Sequence, residues 1–377
     1  MGKVRLLLCA ALAALLLAGC IADSSSVGES VSVGMPSPSP SPAPAPSKPL
    51  TVTAADGVAL IHTLTEAALA DQIGDPDASF CYTLTPLSAD RLLLPVALAN
   101  GATAWYLYEP AGDIFTLLAR MPENRPQISS AWEEGEQIRV ISEAGAFTLD
   151  PAAEPLEITG INNDWTLRGN PVTGDLYHRQ GGQLIRVAPD GGETVLYVWP
   201  DKGALSAAEP SSDGSRLFFG IIPYEGISDV VVLDLATGAA ETTPMRAAYP
   251  RLCWLGDKPC LITLEEEEGM LFRYGDHLAE TFLWQPSDSN GWQNASIAYS
   301  GGGRVLLNAS YTDPEGNPSS TLSLFCCDET GITERPLVKV TGWISDTALS
   351  SDGGTLALCI NDGSGGAEQL LLYEIKN

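Results

Sequence analysis

The stretch SSDGGTLALC occupies residues 350–359, and SSDGSRLFFG, with its Asp-Gly pair 139 residues earlier, occupies 211–220. Each places Ser-x-Asp-Gly ahead of a run of apolar, β-favouring residues. Gly tolerates the positive φ that a tight hairpin demands, and Asp or Ser hydrogen-bonds the turn backbone. The phrase therefore reads as the turn between two strands, and its Asp as structural. The glycine recurs in looser form as Gly135 in WEEGEQIRV, Gly174 in PVTGDLYHR, Gly256 in WLGDKPCLI and Gly302 in YSGGGRVLL, with Asp90 of PLSADRLLL in the same place first. With Gly214 and Gly353 these markers number seven, at steps of 39 to 51 residues.

A strand-like stretch precedes each marker and a strong β-run follows it, as at 91–98, 137–142, 216–222, 304–309 and 355–360. A third run comes next (104–108, 229–235, 321–325, 370–375), and usually a fourth (194–199, 281–284). Strands in fours at a period of forty-odd residues predict an all-β fold, a seven-bladed β-propeller over 50–377, with six or eight as the neighbouring counts. The last unit holds three runs, so the strand-like residues 50–53 are expected to supply its outermost strand and close the ring. Between them and the first blade, Thr63 with Glu66 fits a capping box and Gly74 a helix C-terminus, which predicts one short helix.

Outside this region the chain changes character. Lys3 and Arg5 precede an apolar run over residues 6–18, too short for a comfortable membrane span and the length of a signal-peptide core. It ends Leu17-Ala18-Gly19-Cys20. Residues 20–49 are Ser-rich, then alternate Pro with Ser or Ala from Pro36 to Pro46. Such a segment buries too little surface to fold and favours polyproline II, a stiff stalk.

The chain carries 47 acidic and 20 basic residues, a formal charge of −27. That excludes nucleic acid as the expected partner, since phosphate binding needs clustered Lys and Arg. The histidines are His62, His178 and His277, scattered, and no HExxH, GxSxG or phosphate-binding Gly loop is present. No catalytic residue, metal site or cofactor is predicted. Glu265 to Glu268 read as a solvated hairpin tip. NDGSGGAE and YTDPEGNPSS lack the ligand spacing of a calcium loop. Six cysteines follow Cys20: Cys253 and Cys260 flank a tight turn and are expected to face each other, with a disulfide left open, whereas adjacent Cys326 and Cys327 are expected on opposite strand faces.

Counting ten residues back from each marker gives Phe80, Arg125, Asp164, Ala204, Arg246, Trp292 and Trp343, with Trp165 beside Asp164. In a propeller these positions begin the innermost strands, at the mouth of the central channel. Aromatic and Arg side chains converging there suit a sugar, a peptide or a carboxylated ligand. The competing reading is that the Trp residues wedge between blades.

Leu17-Ala18-Gly19-Cys20 resembles the lipobox of bacterial lipoproteins. The resemblance implies cleavage after Gly19, acyl chains on Cys20, and an extracytoplasmic protein held to the membrane, the Gram-positive surface favoured by the long stalk. Ser-x-Asp-Gly-x-x-Leu, at 211–217 and 350–356, resembles the repeats of TolB-type, WD40-like propellers of the bacterial envelope. That family shares no active site, so the resemblance implies a module that binds a ligand or envelope protein without catalysis. The alternative is a carbohydrate-active enzyme, a polysaccharide lyase or hydrolase using carboxylates and Tyr at the rim. A truncated relative of propeller-bearing peptidases ranks third.

Overall fold

The marker turns fold as their residues dictate. At 211–216 the Ser211 hydroxyl donates to Asp213 Oδ1 (2.6 Å), which also accepts from the Ser215 amide (3.0 Å). The Arg216 amide donates back to Ser211 Oγ (3.0 Å), and Gly214 closes the turn at φ +71°. Ser350, Asp352, Gly353 and Thr355 repeat the arrangement: Ser350 Oγ to Asp352 Oδ1 2.6 Å, Thr355 amide to Ser350 Oγ 2.8 Å, Gly353 at φ +76°. The glycines also admit the neighbouring blade. A Cβ on Gly353 would stand 2.7 Å from the Arg304 guanidinium carbon, and one on Gly214 would stand 2.8 Å from Asn170 Oδ1.

These hydrogen bonds hold the carboxylates charged. The Ser211 hydroxyl, then the Ser215 amide, bring Asp213 down to about 2, and Ser350 with the Gly354 amide lower Asp352 in the same way. A carboxylate depressed on folding contributes stability above its unfolded value that is lost as pH falls through the folded one. Side-chain carboxyl NMR is therefore expected to place the Asp213 midpoint near 2, and Ser211→Ala is expected to move it up toward the ordinary range. An unchanged midpoint in the variant would assign the effect elsewhere.

The computed structural model describes residues 50–376 except 82–83, 89, 122–126, 160–165, 200–203, 207, 223–227, 246–250, 266–268, 286–293, 302, 313–316 and 363–367. Its strands form seven sheets, the blades of a β-propeller. Blade I comprises Thr85–Ser88, Arg91–Ala97, Thr103–Glu109 and Ile114–Met121, with Ser79–Phe80 also on its second strand. Blade II is Ile128–Glu134, Gln137–Ser142 and Gly145–Leu149. Blade III is Arg168–Gly169, Leu176–Gln180, Gln183–Val187 and Glu193–Val198. Blade IV is Ala204–Leu205 with Glu209–Pro210, then Arg216–Ile222, Ser228–Asp234 and Ala240–Met245. Blade V is Arg251–Leu255, Lys258–Glu265, Gly269–Tyr274 and Glu280–Trp284. Blade VI is Asn294–Gly301, Arg304–Thr312, Pro318–Asp328 and Gly331–Thr341; blade VII begins Trp343–Leu349, Thr355–Asn361, Gln369–Ile375. The marker turns lie between the first and second strands of the blades, as expected, except that Gly302 lies outside the described residues.

Ring closure comes from the N-terminal side, but not from the expected residues. Thr51–Ala54 pairs with Gly331–Thr341 and adds a fifth strand to blade VI. The fourth strand of blade VII is Val58–Thr65, with Val58 opposite Ile375 and Thr65 opposite Gln369. The chain crosses between the two sheets at residues 55–57, where the Ala55 amide reaches Leu337 O and the Lys376 amide reaches Gly57 O (2.8 Å each). VALIHTLT lacks clean alternation because a bulge interrupts its register between Leu60 and His62, which hid it as a strand.

The helix runs Glu66–Ile73 and ends at Gly74 in the left-handed conformation, as expected. Its N-cap is Thr65, whose hydroxyl accepts from the Ala68 amide (3.2 Å), not Thr63. Thr63 is still paired in the ladder opposite Leu371, so the cap falls to the last strand residue, where the ladder ends.

Apolar clusters fill the inter-blade spaces. Between blades V and VI, Phe325 packs on Phe272 (5.2 Å) and Trp284 (5.4 Å). Comparable clusters join VI to VII, VII to I, I to II, III to IV and IV to V. Blades II and III share none among the described residues; Ile141 and Ile185 are buried there outside any cluster. The six cysteines after Cys20 are free thiols. Cys253 and Cys260 face each other as expected, the Cys253 thiol donating to Cys260 O (3.6 Å). Cys326 packs toward blade VII and Cys327 toward blade V, on opposite faces.

Candidate functional site

Blade I carries a cavity of about 400 Å³, within the range of small-molecule sites. Four pieces of chain build it. The end of the helix supplies Ile73, followed by Asp75. The loop between the second and third strands supplies Leu98, Asn100 and Ala102; Thr103 and Tyr106 follow on the third strand, and Arg120 and Met121 end the fourth. The fourth piece comes from the next blade. After Leu149 the chain leaves blade II and pairs Leu156–Glu157 in parallel with Ala119 and Arg120, which brings Glu157 to the cavity wall.

Local hydrogen bonds fix these groups. Asp75 accepts from the Ala99 amide (3.2 Å) through Oδ2 and from the Asp77 amide (3.1 Å) through Oδ1, which ties the helix end to the loop. Asn100 Oδ1 accepts from the Ala102 amide (3.0 Å). Tyr106 is half-buried, its ring edge-on to Phe115 at 6.2 Å. Burial pushes its phenol up; Arg120 draws it back and Asp75 adds to the rise, so the hydroxyl is a neutral donor within the field of both charges. Arg120 and Glu157 stand 4.0 Å apart, both well exposed, a loose pair that leaves the guanidinium donors available to a ligand. Thr103 is 1% exposed, and its hydroxyl has no hydrogen-bond partner. A buried hydroxyl without a partner costs stability unless something bonds it.

The arrangement therefore offers an apolar floor (Ile73, Leu98, Ala102, Met121) under one cation, two carboxylates, an amide and the Tyr106 hydroxyl; the Thr103 hydroxyl is sealed on the other face of the strand, the face of Trp105 and Leu107 toward blade II. Among the lining residues there is no His, Cys or Ser. Among the described residues no three His, Cys, Asp or Glu gather as metal ligands would.

The predicted rim set fares unevenly. Phe80 is buried in the cluster between blades VII and I, beside Leu94, Val96 and Tyr108, so its ring serves packing. Trp343 opens the innermost strand of blade VII, half-buried opposite Asn361, and Ala204 lies on the inner edge of blade IV. Arg125, Asp164, Trp165, Arg246 and Trp292 lie outside the described residues, as does Cys20. The blade I cavity escaped the sequence reading because its four pieces share no motif. The available signal was Tyr106 and Arg120 pointing polar groups off two apolar strands.

The histidines have structural partners. His62 meets the Tyr108 hydroxyl and lies 3.3 Å from Asp113 Oδ1, while Tyr108 donates to Asp113 (2.8 Å), which pins the closing strand to blade I. Burial and Asp113 push the Tyr108 phenol far above its ordinary range. His277 Nδ1 lies 2.7 Å from Glu241 Oε1 at the surface. His178 is half-buried opposite Ile185.

No family model and no curated protein sequence matches this chain. Solved structures do. A prolyl endopeptidase superposes with TM-score 0.51 at 12% identity over 83% of this chain and 52% of its own, so this chain spans about half of that protein. At that identity the likeness is one of fold alone. More distant are an oligogalacturonate lyase solved in complex with manganese (TM-score 0.37, 11% identity, 88% of this chain and 98% of that one) and TolB from Acinetobacter baumannii (0.35, 12%, 78% and 66%). Neither is close enough to bear on function. Among the described residues no helix is long and apolar enough to cross a membrane.

Proposed function

We propose that this chain is a lipid-anchored extracytoplasmic lipoprotein of the bacterial cell surface whose TolB-type propeller binds a ligand without transforming it. The observation that carries the binding reading is the blade I cavity, where Arg120, Asp75, Glu157, Asn100 and the Tyr106 hydroxyl stand around an apolar floor. Leu17-Ala18-Gly19-Cys20 and the Pro-rich stalk support the anchoring. Two acyl chains on Cys20, at about 0.8 kcal/mol per buried methylene, make a durable anchor. The stalk then holds the ring off the membrane, where a glycan, a peptide or an envelope protein reaches it.

The test has two arms. Mass spectrometry of the mature N-terminus is expected to find an acylated Cys20; an unmodified Cys20 overturns the anchoring. Glycan and peptide arrays on the whole chain are expected to give a ligand whose affinity falls about tenfold, near 1.4 kcal/mol, in Arg120→Ala and Tyr106→Ala. Both side chains are partly exposed, so the variants are expected to keep the melting temperature. Shortening of a bound polymer would replace this reading with the carbohydrate-active enzyme.

A further inference from the structure

Every blade of a propeller ends in an outer strand with one free edge. Among the described residues, that strand in blade II is the third, Gly145–Leu149, because Leu156–Glu157 has gone to blade I. The free edge is therefore set one strand inward, about 4.8 Å, from its neighbours. With residues 143–144 as the two-residue turn, Gly145, Phe147 and Leu149 bond to the second strand, and Ala146 and Thr148 direct N–H and C=O into the vacant position.

The facing wall has the matching defect. On blade III, Tyr177, Leu184 and Tyr197 pack toward blade IV. The alternate row of His178, Ile185 and Val195 therefore faces blade II, and so does Val198, opposite Gln183. Ile185 is buried, but Val195 is 49% and Val198 63% exposed. A fourth strand on blade II would cover both valines. At the inner end the blades touch: Trp132 and Ile141 press on Gly169, and Ser129 Oγ reaches Leu167 O (3.3 Å). Among the described residues, the gap is thus an outer slot one strand wide, with an unpaired ladder on one side and an apolar wall on the other.

We infer that this slot takes an extended segment of another polypeptide, one alternating apolar and basic residues, added to blade II as its fourth strand. Backbone pairing supplies affinity, and the side chains facing Val195 and Val198 supply fit. Charge selects the partner. Residues 128–158 hold seven acids and a single base, Arg139, which is engaged by Thr148 Oγ1; Glu133 and Glu157 pair with Arg91 and Arg120 of blade I, which leaves Glu134, Glu136, Glu143, Asp150 and Glu154 as the acidic excess of blade II. A second copy would bring the same acids against these. The chain's own residues 20–49 carry Asp23 and Glu29 against Lys48, and their prolines lack ladder donors.

The probe is a short peptide of alternating valine and lysine, titrated by fluorescence anisotropy against the full-length chain in detergent, with a valine–glutamate peptide as control. The lysine peptide is expected to bind, to weaken as salt rises, and to slow amide exchange at Ala146 and Thr148. Thr148→Pro removes a donor that the native ladder does not use, and Val195→Lys puts a charge on the exposed wall. Each is expected to weaken binding at least about tenfold with the melt unchanged. Tyr106→Ala is expected to leave it intact, which separates the slot from the blade I cavity. Failure of the lysine peptide to bind, or binding indifferent to Val195→Lys, overturns the proposal. So does self-association that Thr148→Pro abolishes, which would make the occupant a second copy.

Discussion

A chain that starts at residue 66 is expected to lose its cooperative melt, whereas a chain that starts at residue 50 is expected to keep the melting profile of the full protein. Both outcomes follow from where the ring is sealed. All described strands of the seven blades lie between Thr51 and Ile375, so a chain that starts at residue 50 retains every one of them. Removing residues 50–65 strips two blades at once. Blade VI loses Thr51–Ala54, and blade VII loses Val58–Thr65 with buried Val58 and Leu64. Burial of those two side chains alone is worth about 1.5–3 kcal/mol each. The cut also removes His62 from Tyr108 and Asp113, and takes Thr65 from the helix it caps. A bare edge on Gln369–Ile375 remains, open to other chains. Calorimetry with light scattering reads the result: a broad, concentration-dependent transition for the shorter chain, rescued by a peptide of residues 50–65. A sharp, unshifted transition in the chain starting at 66 would mean that the ring does not depend on this closure.

The architecture was legible because its punctuation is chemical. A glycine or Asp-Gly turn must recur wherever an inner strand folds back, and each turn of that kind leaves a mark that survives varied strand sequence. Closure was half legible. The count of three runs in the last unit required a donor strand, but only residues 50–53 read as one, and the bulge at Leu60 and His62 disguised Val58–Thr65, which blade VII uses. The helix was found from Gly74, while its start slipped by two residues because sheet pairing persists through Thr65. What the sequence did not disclose is the departure of Leu156–Glu157 to blade I. Two residues carry no periodicity, and their parallel partner lies 37 residues upstream at Ala119 and Arg120. The Glu157 wall of the blade I cavity and the recessed edge of blade II both result from that one exchange, so the features on which the proposed binding rests sit where local pattern is weakest.

Phe325→Ala is expected to cost about 3–5 kcal/mol, the range for a fully buried Phe whose site cannot collapse. Phe325 is 0% exposed and joins rings from the adjoining blade: Phe272 at 5.2 Å, Trp284 at 5.4 Å and Phe282 at 6.4 Å. Beyond area, each aromatic pair adds about 0.5–1.5 kcal/mol. Phe325→Leu keeps most of the volume and is expected to cost less than about 1.5 kcal/mol, and Phe282→Ala, at a half-buried position, less than Phe325→Ala. Urea unfolding followed by circular dichroism measures the three. The form of the transition carries the larger point. In a closed ring each blade is held on both sides, so weakening the V–VI interface should lower one shared midpoint. In a ring already divided by the thin interface between blades II and III, the same substitution would split the curve, since blades III to V and blades VI, VII, I and II would part company. A single shifted midpoint is expected, because blades V and VI keep the rest of their shared cluster and the Gly256 amide to Gly303 O hydrogen bond (2.7 Å), while Trp132 and Ile141 still press on Gly169 between blades II and III. A loss below about 1 kcal/mol would mean that the aromatic cluster relaxes around the vacancy and that blades V and VI are held chiefly by their hairpins.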